Sequence, residues 1–246
     1  MADKDQMVFG LHAVMEAIRA GKEPDKVLIR RGAKGENFQQ LMALLREAGI
    51  PWQPVPEEKL NALTRKNHQG VIAWISGISY ARIEQVLPGL FERGELPLLL
   101  FLDQVSDVRN FGAIARTAEC AGVHALVIPA KGSARITPDA VKTSAGALHR
   151  ITVCRHDNLA EAARYCRNSG LTLFAASEKG TESLFDTDLN VPAAIIMGAE
   201  DSGVSEPLLR EADKLMSIPM NGEIASLNVS VAAGVIIYEA LRQRNL

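Results

Sequence analysis

The stretch LDQVSDVRNFGAIARTAECAGV, residues 102–123, joins two short apolar segments and decides the fold of the longer part of the chain. The apolar run 98–103 predicts a buried strand, and the polar loop after it leads into a helix predicted over 114–121. A second apolar run, 125–128, predicts the next strand. Buried strands separated by a helix are typical of a parallel sheet covered on both faces.

The same alternation continues along the chain and predicts a single α/β domain from residue 97 to residue 246. Further strands are predicted at 151–153, 171–175, 194–197 and 215–218, and further helices at 139–147, 159–168 and 229–244. No repeat of solenoid period and no low-complexity tract interrupts the pattern.

The first part of the chain has its own, shorter alternation. Helices are predicted at 12–20 and 38–48, and strands at 26–30, 52–55 and 70–75. The stretch GISYARIEQVLPGLFERGELP, residues 77–97, is rich in Gly and Pro and predicts a linker that holds one short helix. We therefore predict a small α/β domain over 1–77, a linker over 78–96 and the larger domain over 97–246.

Composition excludes several classes of protein. The 246 residues are 47% hydrophobic and 23% charged, which argues against wholesale disorder. The formal net charge of -2 gives no support to a simple polycation that coats nucleic acid, although local charge can still bind RNA. No apolar run approaches membrane-span length, and the first residues lack the apolar core of a signal peptide. We expect a cytoplasmic protein without a membrane partner.

The spacing of the cysteines and the absence of common site motifs argue against a metal site and against a dinucleotide-binding site. Cys120, Cys154 and Cys166 have no metal-ligand spacing, and their odd number indicates reduced thiols. The patterns GxGxxG, GxxxxGK[ST], HExxH and GxSxG are absent. The sequence therefore predicts no metal and no standard glycine-rich nucleotide loop.

Charge is distributed unevenly along the chain. Residues 1–80 hold 11 basic and 9 acidic side chains, and the remaining residues hold 16 basic and 20 acidic ones. Within that acidic remainder, one window has five basic residues against the single acid Asp139: Lys131, Arg135, Lys142, Arg150 and Arg155. We call this window the basic strip. It is either an ordinary solvated face or a surface that contacts phosphates.

Asn110, Gly112 and Arg116 form the first of three segments that could carry chemistry. Asn110 is suited to cap the helix, because its side-chain oxygen can accept from an early N–H. Gly112 allows a close backbone approach in the first turn. Arg116 can project toward the carboxyl ends of the strands, where open α/β sheets place ligands.

The second and third segments also follow predicted strands. In IIMGAEDSGVSE, residues 195–206, Gly198 could let a flat ligand pack on the backbone, and Glu200 could accept hydrogen bonds from a ribose or hold a basic partner. In SIPMNGEIASLNVSVAAGVIIYEALRQR, residues 217–244, Ser226 and Asn228 precede an apolar helix that either of them could cap. Taken singly, each segment also fits an ordinary capped helix.

Taken together, the three segments are similar to the signature motifs of the SpoU (TrmH) branch of the SPOUT methyltransferases. The resemblance covers essentially the whole chain, and GLHAVMEAI (10–18) through HQGVIAWIS (68–76) resembles that family's substrate-binding domain, related to ribosomal protein L30e. It is closest to the bacterial 23S rRNA guanosine-2'-O-methyltransferases. The resemblance implies a parallel-sheet catalytic domain with a deep trefoil knot, a feature that the sequence pattern alone could not predict because true knots are very rare.

The resemblance also implies a cofactor, S-adenosyl-L-methionine, and a set of site residues. The cofactor would contact seven positions: Gly198, Ile218, Leu227, Met220, Ser226, Ala176 and Ser177. The catalytic region would hold Asn110, Arg116, Glu200, Ser226 and Asn228. Because a guanidinium stays protonated, we expect Arg116 to bind a phosphate and the developing alkoxide, and not to act as a base.

Partners follow from the same resemblance. We expect a homodimer whose interface could include the apolar C-terminal helix, with Val231, Val235, Ile236 and Tyr238, although these residues could equally be core. The RNA would be 23S rRNA or a pre-ribosomal particle. Candidate RNA contacts are Arg30, Arg31 and Lys34 in the first domain and Lys131, Arg135 and Lys142 in the basic strip.

Three other functions remain open at this stage. A sister enzyme of the same branch could act on tRNA or on another rRNA site, although the first domain argues against the simplest tRNA enzymes. A non-catalytic RNA-binding factor for ribosome assembly could retain the fold, but Asn110, Arg116, Glu200 and Asn228 are all present. An unrelated α/β nucleotide-binding enzyme is disfavoured by the missing glycine loop.

Overall fold

The computed structural model describes residues 6–134, 136–224 and 226–245. The chain divides into two compact units, with the main division between Ser79 and Tyr80. Residues 78–96, which the sequence predicts as a linker, contain helix α4 (Ile83–Glu92). Ile83, Leu87 and Leu90 of this helix are buried in the main core of the larger unit.

The smaller unit is a four-stranded mixed sheet with helices on both faces. Its elements are β1 (Met7–Phe9), α1 (Leu11–Arg19), β2 (Pro24–Arg30), α2 (Glu36–Glu47), β3 (Trp52–Val55), α3 (Glu57–Leu63) and β4 (Val71–Ile75). The strand order is β1-β4-β2-β3, with β2 and β3 parallel and β4 antiparallel to both of its neighbours. Alternate β2 residues serve two cores, since Val27 packs with the residues of α1 and α2 and Leu28 packs with Leu60 of α3.

The larger unit is a seven-stranded parallel sheet, which confirms the predicted fold class. After α4 its strands are β5 (Leu98–Leu102), β6 (Ala125–Pro129), β7 (Thr152–His156), β8 (Thr172–Ala176), β9 (Glu182–Ser183), β10 (Ala193–Met197) and β11 (Lys214–Ser217). Its helices are α5 (Val108–Cys120), α6 (Pro138–Thr143), α7 (Leu159–Asn168), α8 (Glu206–Glu211) and α9 (Val229–Arg244), with a 3-10 turn at Ala147–His149. Every described strand pair in this sheet is parallel.

The strand order places a ligand site at the middle of this sheet. The order is β7-β6-β5-β10-β8-β11-β9, so the chain builds outward from β5 on one side and then crosses to the other. Every residue of β5 and β10 is buried, which is why both strands are continuous apolar runs. Ligands of open α/β sheets bind beyond the carboxyl ends of the strands near such a reversal of order.

Helix α9 is anchored at its C-terminal end. The guanidinium of Arg244 donates to the carbonyl oxygens of Leu96 (2.8 Å), Pro97 (3.1 Å), Leu189 (3.0 Å) and Val191 (2.5 Å). Burial lowers the pKa of Arg244 to about 10, which still leaves it charged near neutral pH. These bonds fix the end of a helix about 24 Å long, whose other end carries Asn228.

Within the described part of the chain, no helix combines the length and the apolar character needed to cross a bilayer. Among the same residues, no group of three or more His, Cys, Asp or Glu side chains is arranged to hold a metal ion.

Candidate active site

A cavity of about 430 Å³ lies in the larger unit at the carboxyl ends of β8, β10 and β11. This volume is within the range of sites for small organic ligands. The cavity lining includes all seven positions that the family resemblance implies as cofactor contacts: Ala176, Ser177, Gly198, Ile218, Met220, Ser226 and Leu227.

The cavity lining also includes further apolar and charged side chains. Met197 and Met216 lie at the strand ends, and Ala232 and Ile236 contribute from α9. Residues 232 and 236 lie on the same face of α9, as their i, i+4 spacing in the sequence predicts. Charged side chains of the lining are Glu178, Lys179, Glu200 and Asp201.

Gly198 is required by the loop that it begins. A Cβ atom at this position would lie 2.0 Å from the backbone carbon of Gly203, far inside van der Waals contact. This clash is a reason for glycine at 198 that the sequence did not reveal, and the packing of a flat ligand on this backbone stays a prediction. The close neighbour is the returning strand of the same loop, which the N–H of Gly203 closes by donating to the oxygen of Ala199 (2.9 Å).

Asn110, Glu200 and Asn228 form a hydrogen-bonded cluster beside this cavity. The amide of Asn110 donates to Glu200 Oε1 (3.2 Å), and the amide of Asn228 donates to Asn110 Oδ1 (3.1 Å) and to Glu200 Oε1. The N–H of Val229 also donates to Glu200 Oε1 (3.3 Å). We call these three side chains the amide–carboxylate cluster. Glu200 belongs both to the cluster and to the cavity wall.

The cap of α5 is Asp107, so the prediction that Asn110 caps this helix is wrong. Asp107 Oδ1 accepts from the N–H groups of Arg109 (2.9 Å) and Asn110 (2.8 Å). The helix therefore begins at Val108, two residues before Asn110, which lies within its first turn. Because the carboxylate satisfies the early N–H groups, the Asn110 side chain is available to Glu200.

Asn228 does cap α9, as its position in the sequence predicts. Its Oδ1 accepts from the N–H of Ser230 (3.0 Å) and from the Ser230 hydroxyl (2.5 Å). The same side chain thus fixes the start of α9 and donates into the cluster. Ser226, also a possible cap in the sequence, is instead an exposed residue of the cavity lining.

Gly112 permits the close approach that the sequence predicts, and its neighbour is α6. A Cβ at Gly112 would lie 2.8 Å from the Cβ of Thr143 and 3.0 Å from the oxygen of Ala140. This contact packs α5 against α6 and fixes the helix that carries Asn110.

Arg116 is exposed on α5, six residues beyond Asn110, a rise of about 9 Å along the axis. Among the described residues it makes no hydrogen bond and no ion pair, and it does not line the cavity. Its guanidinium is therefore available to a phosphate or to another anion.

Two family models match the sequence. The SpoU rRNA Methylase family matches residues 97–238, more than half of the chain. The chain belongs to this family. The model for the substrate-binding part of RNA 2'-O ribose methyltransferases matches residues 7–81.

The SpoU-family chain has relatives of nearly the same length. It is 33% identical over 245 residues to YacO of Bacillus subtilis, a protein assigned to the TrmH family of tRNA/rRNA methyltransferases, with 100% of this chain and 98% of YacO covered. Its fold is similar to the AdoMet-bound rRNA methyltransferase of Sinorhizobium meliloti (TM-score 0.61, 26% identity, 96% of this chain and 86% of that one). It also resembles the A. aeolicus TrmH/SpoU tRNA modifying enzyme (TM-score 0.56, 34% identity, 66% of this chain and 84% of that one).

The candidate RNA-binding residues of this SpoU-family chain differ in their surroundings. Arg31 and Lys34 are exposed, whereas Arg30 is half-buried and pairs with Glu57, its Nη1 lying 3.4 Å from Oε2. In the larger unit Lys131 and Lys142 are exposed.

The basic strip also contains Arg135 and Arg155. Arg135 lies outside the described residues. Arg155 is 8% exposed, and its guanidinium lies 4.0 Å from the ring centroid of Tyr80. The expectation that Arg155 belongs to a basic surface is therefore wrong, because its charge is stacked on an aromatic ring in the interior.

The apolar residues proposed for a subunit interface fall into two groups. Ile236 is buried at 1% exposure and belongs to the core, while Val231 and Tyr238 are each 51% exposed. Val231, Val235 and Tyr238 follow one another at helical spacing and form a stripe on α9.

Proposed function

We propose that this chain transfers a methyl group from S-adenosyl-L-methionine to the 2'-oxygen of a guanosine in 23S rRNA. The observation that carries the proposal is the amide–carboxylate cluster at the wall of a ligand-sized cavity. Asn110, Glu200 and Asn228 come from three distant segments and are joined by hydrogen bonds. Such a convergence of polar side chains beside a cavity is typical of an active site and has no evident use in a purely structural module.

The cavity lining suits S-adenosyl-L-methionine. Apolar side chains such as Met197, Met216 and Ile218 can flank a planar base. The carboxylates of Glu178, Glu200 and Asp201 supply the negative charge and the acceptors that hydroxyl groups and a positively charged ligand require. The seven predicted contacts, Ala176, Ser177, Gly198, Ile218, Met220, Ser226 and Leu227, would hold this cofactor.

The chemistry divides between the cofactor and the protein. When bound, S-adenosyl-L-methionine supplies a methyl group already activated by its sulfonium, so the proposed reaction calls for no metal. The amide–carboxylate cluster would orient groups around the ribose. Ser226 lines the cavity, and its hydroxyl can rotate to donate or to accept a hydrogen bond. Arg116 would bind the adjacent phosphate and stabilise the 2'-oxygen as its proton leaves. It does not act as a base, because a guanidinium stays protonated in proteins.

Chain coverage favours rRNA over tRNA as the substrate. The similar rRNA methyltransferase structure covers 96% of this chain, so it matches both units. The similar tRNA-modifying enzyme of A. aeolicus covers 66% of this chain. A second similar structure, from work on the 2'-hydroxyl methylation of C/U34 on tRNA, covers 60% of this chain. We propose that the domain over 1–77 binds rRNA through Arg30, Arg31 and Lys34. Residues 78–96 would join it to the catalytic domain over 97–246.

Four further features belong to the proposal. The substrate is 23S rRNA itself or a pre-ribosomal particle. Lys131, Arg135 and Lys142 also contact this RNA. The protein acts in the cytoplasm. The enzyme is a homodimer, supported by the exposed apolar stripe on α9, and its catalytic domain contains a trefoil knot as the family resemblance implies. Sedimentation at micromolar concentration tests the dimer, since a monomer alone would contradict it.

The direct test is methyl transfer from labelled S-adenosyl-L-methionine to separate pools of 23S rRNA, 16S rRNA and tRNA. We expect label in 23S rRNA, at a 2'-oxygen of guanosine when the modified nucleotide is mapped. Arg116→Ala should bind the cofactor normally and lose methyl transfer, whereas full turnover by that variant would contradict the assigned role. Label confined to tRNA would replace the rRNA proposal with that of a tRNA enzyme.

A further inference from the structure

Asp103 is a buried carboxylate next to the proposed site, and the mechanism above gives it no part. It follows the last residue of β5 and is 5% exposed. Its backbone N–H donates to the carbonyl oxygen of Met197 (2.8 Å), at the end of β10. Its Oδ2 accepts from the backbone N–H of Ser205 (2.8 Å), at the start of α8.

These two bonds join both ends of one loop to a single residue. The loop over 198–204 leaves the sheet after Met197 and ends before Ser205. Asp103 therefore bonds the residue just before the loop, Met197, and the residue just after the loop, Ser205. Every residue from 198 to 204 lines the cavity, and Glu200 is among them. Asp103 therefore bonds both flanks of the part of the cavity wall that this loop supplies.

External contacts at Glu200, which bonds Asn110 and Asn228, and at Val204, which packs in the main core, add to the two Asp103 bonds that hold the ends of the loop. Its internal connections include the bridge between Ala199 and Gly203 and the close contact of Gly198 with Gly203. These contacts keep the two arms of the loop together but do not fix the loop against the sheet. The Ser205 hydroxyl makes no capping bond to α8, which leaves the bond from its backbone N–H to Asp103 as the polar link at that end.

We propose that Asp103 is a positioning residue for the proposed methyl transfer. It holds the loop over 198–204 so that Glu200 meets Asn110 and Asn228 and the cavity keeps its shape. A hydrogen bond from an N–H to a buried carboxylate is stronger than one between neutral groups, which makes a charged residue effective here. The inference rests on the proposed function only for its effect on the cofactor and on methyl transfer; its effect on the loop is independent.

Four variants test the hydrogen bond from the N–H of Ser205 to Asp103. Asp103→Ala removes the acceptor, and Asp103→Asn keeps an oxygen that can accept from Ser205. Ser205→Pro removes the donor and leaves Asp103 unchanged, and the φ of Ser205, -66°, is one that proline adopts. Ser205→Ala is the matched control, because it keeps the N–H and changes only the side chain.

The first measurement is amide hydrogen exchange in the full-length protein, which requires neither cofactor nor RNA. We expect faster exchange over 198–205 in Asp103→Ala and in Ser205→Pro, with exchange in β6 and β7 unchanged. Ser205→Ala should exchange like the wild type, and Asp103→Asn, which keeps an acceptor but loses the charge, should lie between the wild type and Asp103→Ala. Wild-type exchange over 198–205 in both Asp103→Ala and Ser205→Pro would overturn the inference. If one of these two variants does not fold, the other supplies the same comparison.

The second measurement is the Kd of S-adenosyl-L-methionine by calorimetry, combined in a double-mutant cycle. Loss of one charge-assisted hydrogen bond should raise this Kd about tenfold in each single variant. The double variant Asp103→Ala/Ser205→Pro should show the same tenfold change, because both substitutions remove one bond. Additive effects, about 100-fold in the double variant, would contradict the inference. A wild-type protein that does not bind S-adenosyl-L-methionine would overturn the proposed function, while hydrogen exchange would still decide the role of Asp103.

Discussion

The substitution Glu200→Ala removes the centre of the amide–carboxylate cluster. Glu200 Oε1 accepts from the side chains of Asn110 and Asn228 and from the N–H of Val229. A hydrogen bond to a charged group contributes about 1.5–3 kcal/mol, and we take about 1 kcal/mol for each of these because Glu200 is exposed to water. The three bonds together then amount to about 3 kcal/mol, or about 100-fold in rate if they act only on the reaction.

Single-turnover methyl transfer at saturating S-adenosyl-L-methionine is the appropriate assay, because it separates the chemical step from cofactor binding and product release. We expect a rate about 100-fold lower in Glu200→Ala and about tenfold lower in Glu200→Gln, which keeps one acceptor oxygen. Glu206→Gln is the control, since that exposed carboxylate pairs with Arg210 on its own helix and lies outside the cluster. An unchanged rate in Glu200→Ala would refute the role of the cluster.

Three further predictions concern the packing and the pH response of the larger unit. Arg244→Ala should lower the free energy of unfolding by about 3 kcal/mol, measured by urea denaturation, because four carbonyl oxygens lose a charged donor. Gly112→Ala should cost about 1–3 kcal/mol in the same assay, because its Cβ would lie 2.8 Å from that of Thr143; an unchanged stability would mean that α6 can move aside. Burial lowers the pKa of His156, whose Nε2 accepts from the N–H of Ile83, so folding favours the neutral ring. The free energy of unfolding should therefore be fully maintained above the unfolded-state pKa of about 6.5 and fall as the pH is lowered toward the folded-state pKa. His156→Gln should reduce this pH dependence, and an identical pH profile would contradict the assignment.

The central strands could be predicted because their signal is local. Every residue of β5 and β10 is apolar and buried, so composition alone marks them. The three-residue strand β1 has no comparable signal, since strands of that length are defined by their partner and not by their own sequence. The predicted helix over 139–147 ends at Thr143 because Ala145 and Gly146 have positive φ angles of 51° and 86°.

The site residues illustrate the same division between local and long-range information. The sequence offers both Ser226 and Asn228 as caps of α9, because capping depends on immediate neighbours, and the structure selects Asn228. The sequence around Asn110 contains a second suitable cap, Asp107, and only the structure decides between them. The clash that requires Gly198 comes from Gly203 after a tight reversal of the chain, which no periodicity reveals.

The separation of the cluster residues along the chain has a consequence for the order of events during synthesis. Asn110 and Glu200 are 90 residues apart, and Asn110 and Asn228 are 118 residues apart. A chain emerging from the ribosome folds its first domain early, whereas contacts this distant form only after residue 228 has left the ribosome. Asn228 precedes a helix of 16 residues whose far end must also reach Leu96 and Val191. A nascent chain in which residues 228–244 have not yet emerged therefore lacks the cluster, so this part of the candidate site forms late in folding.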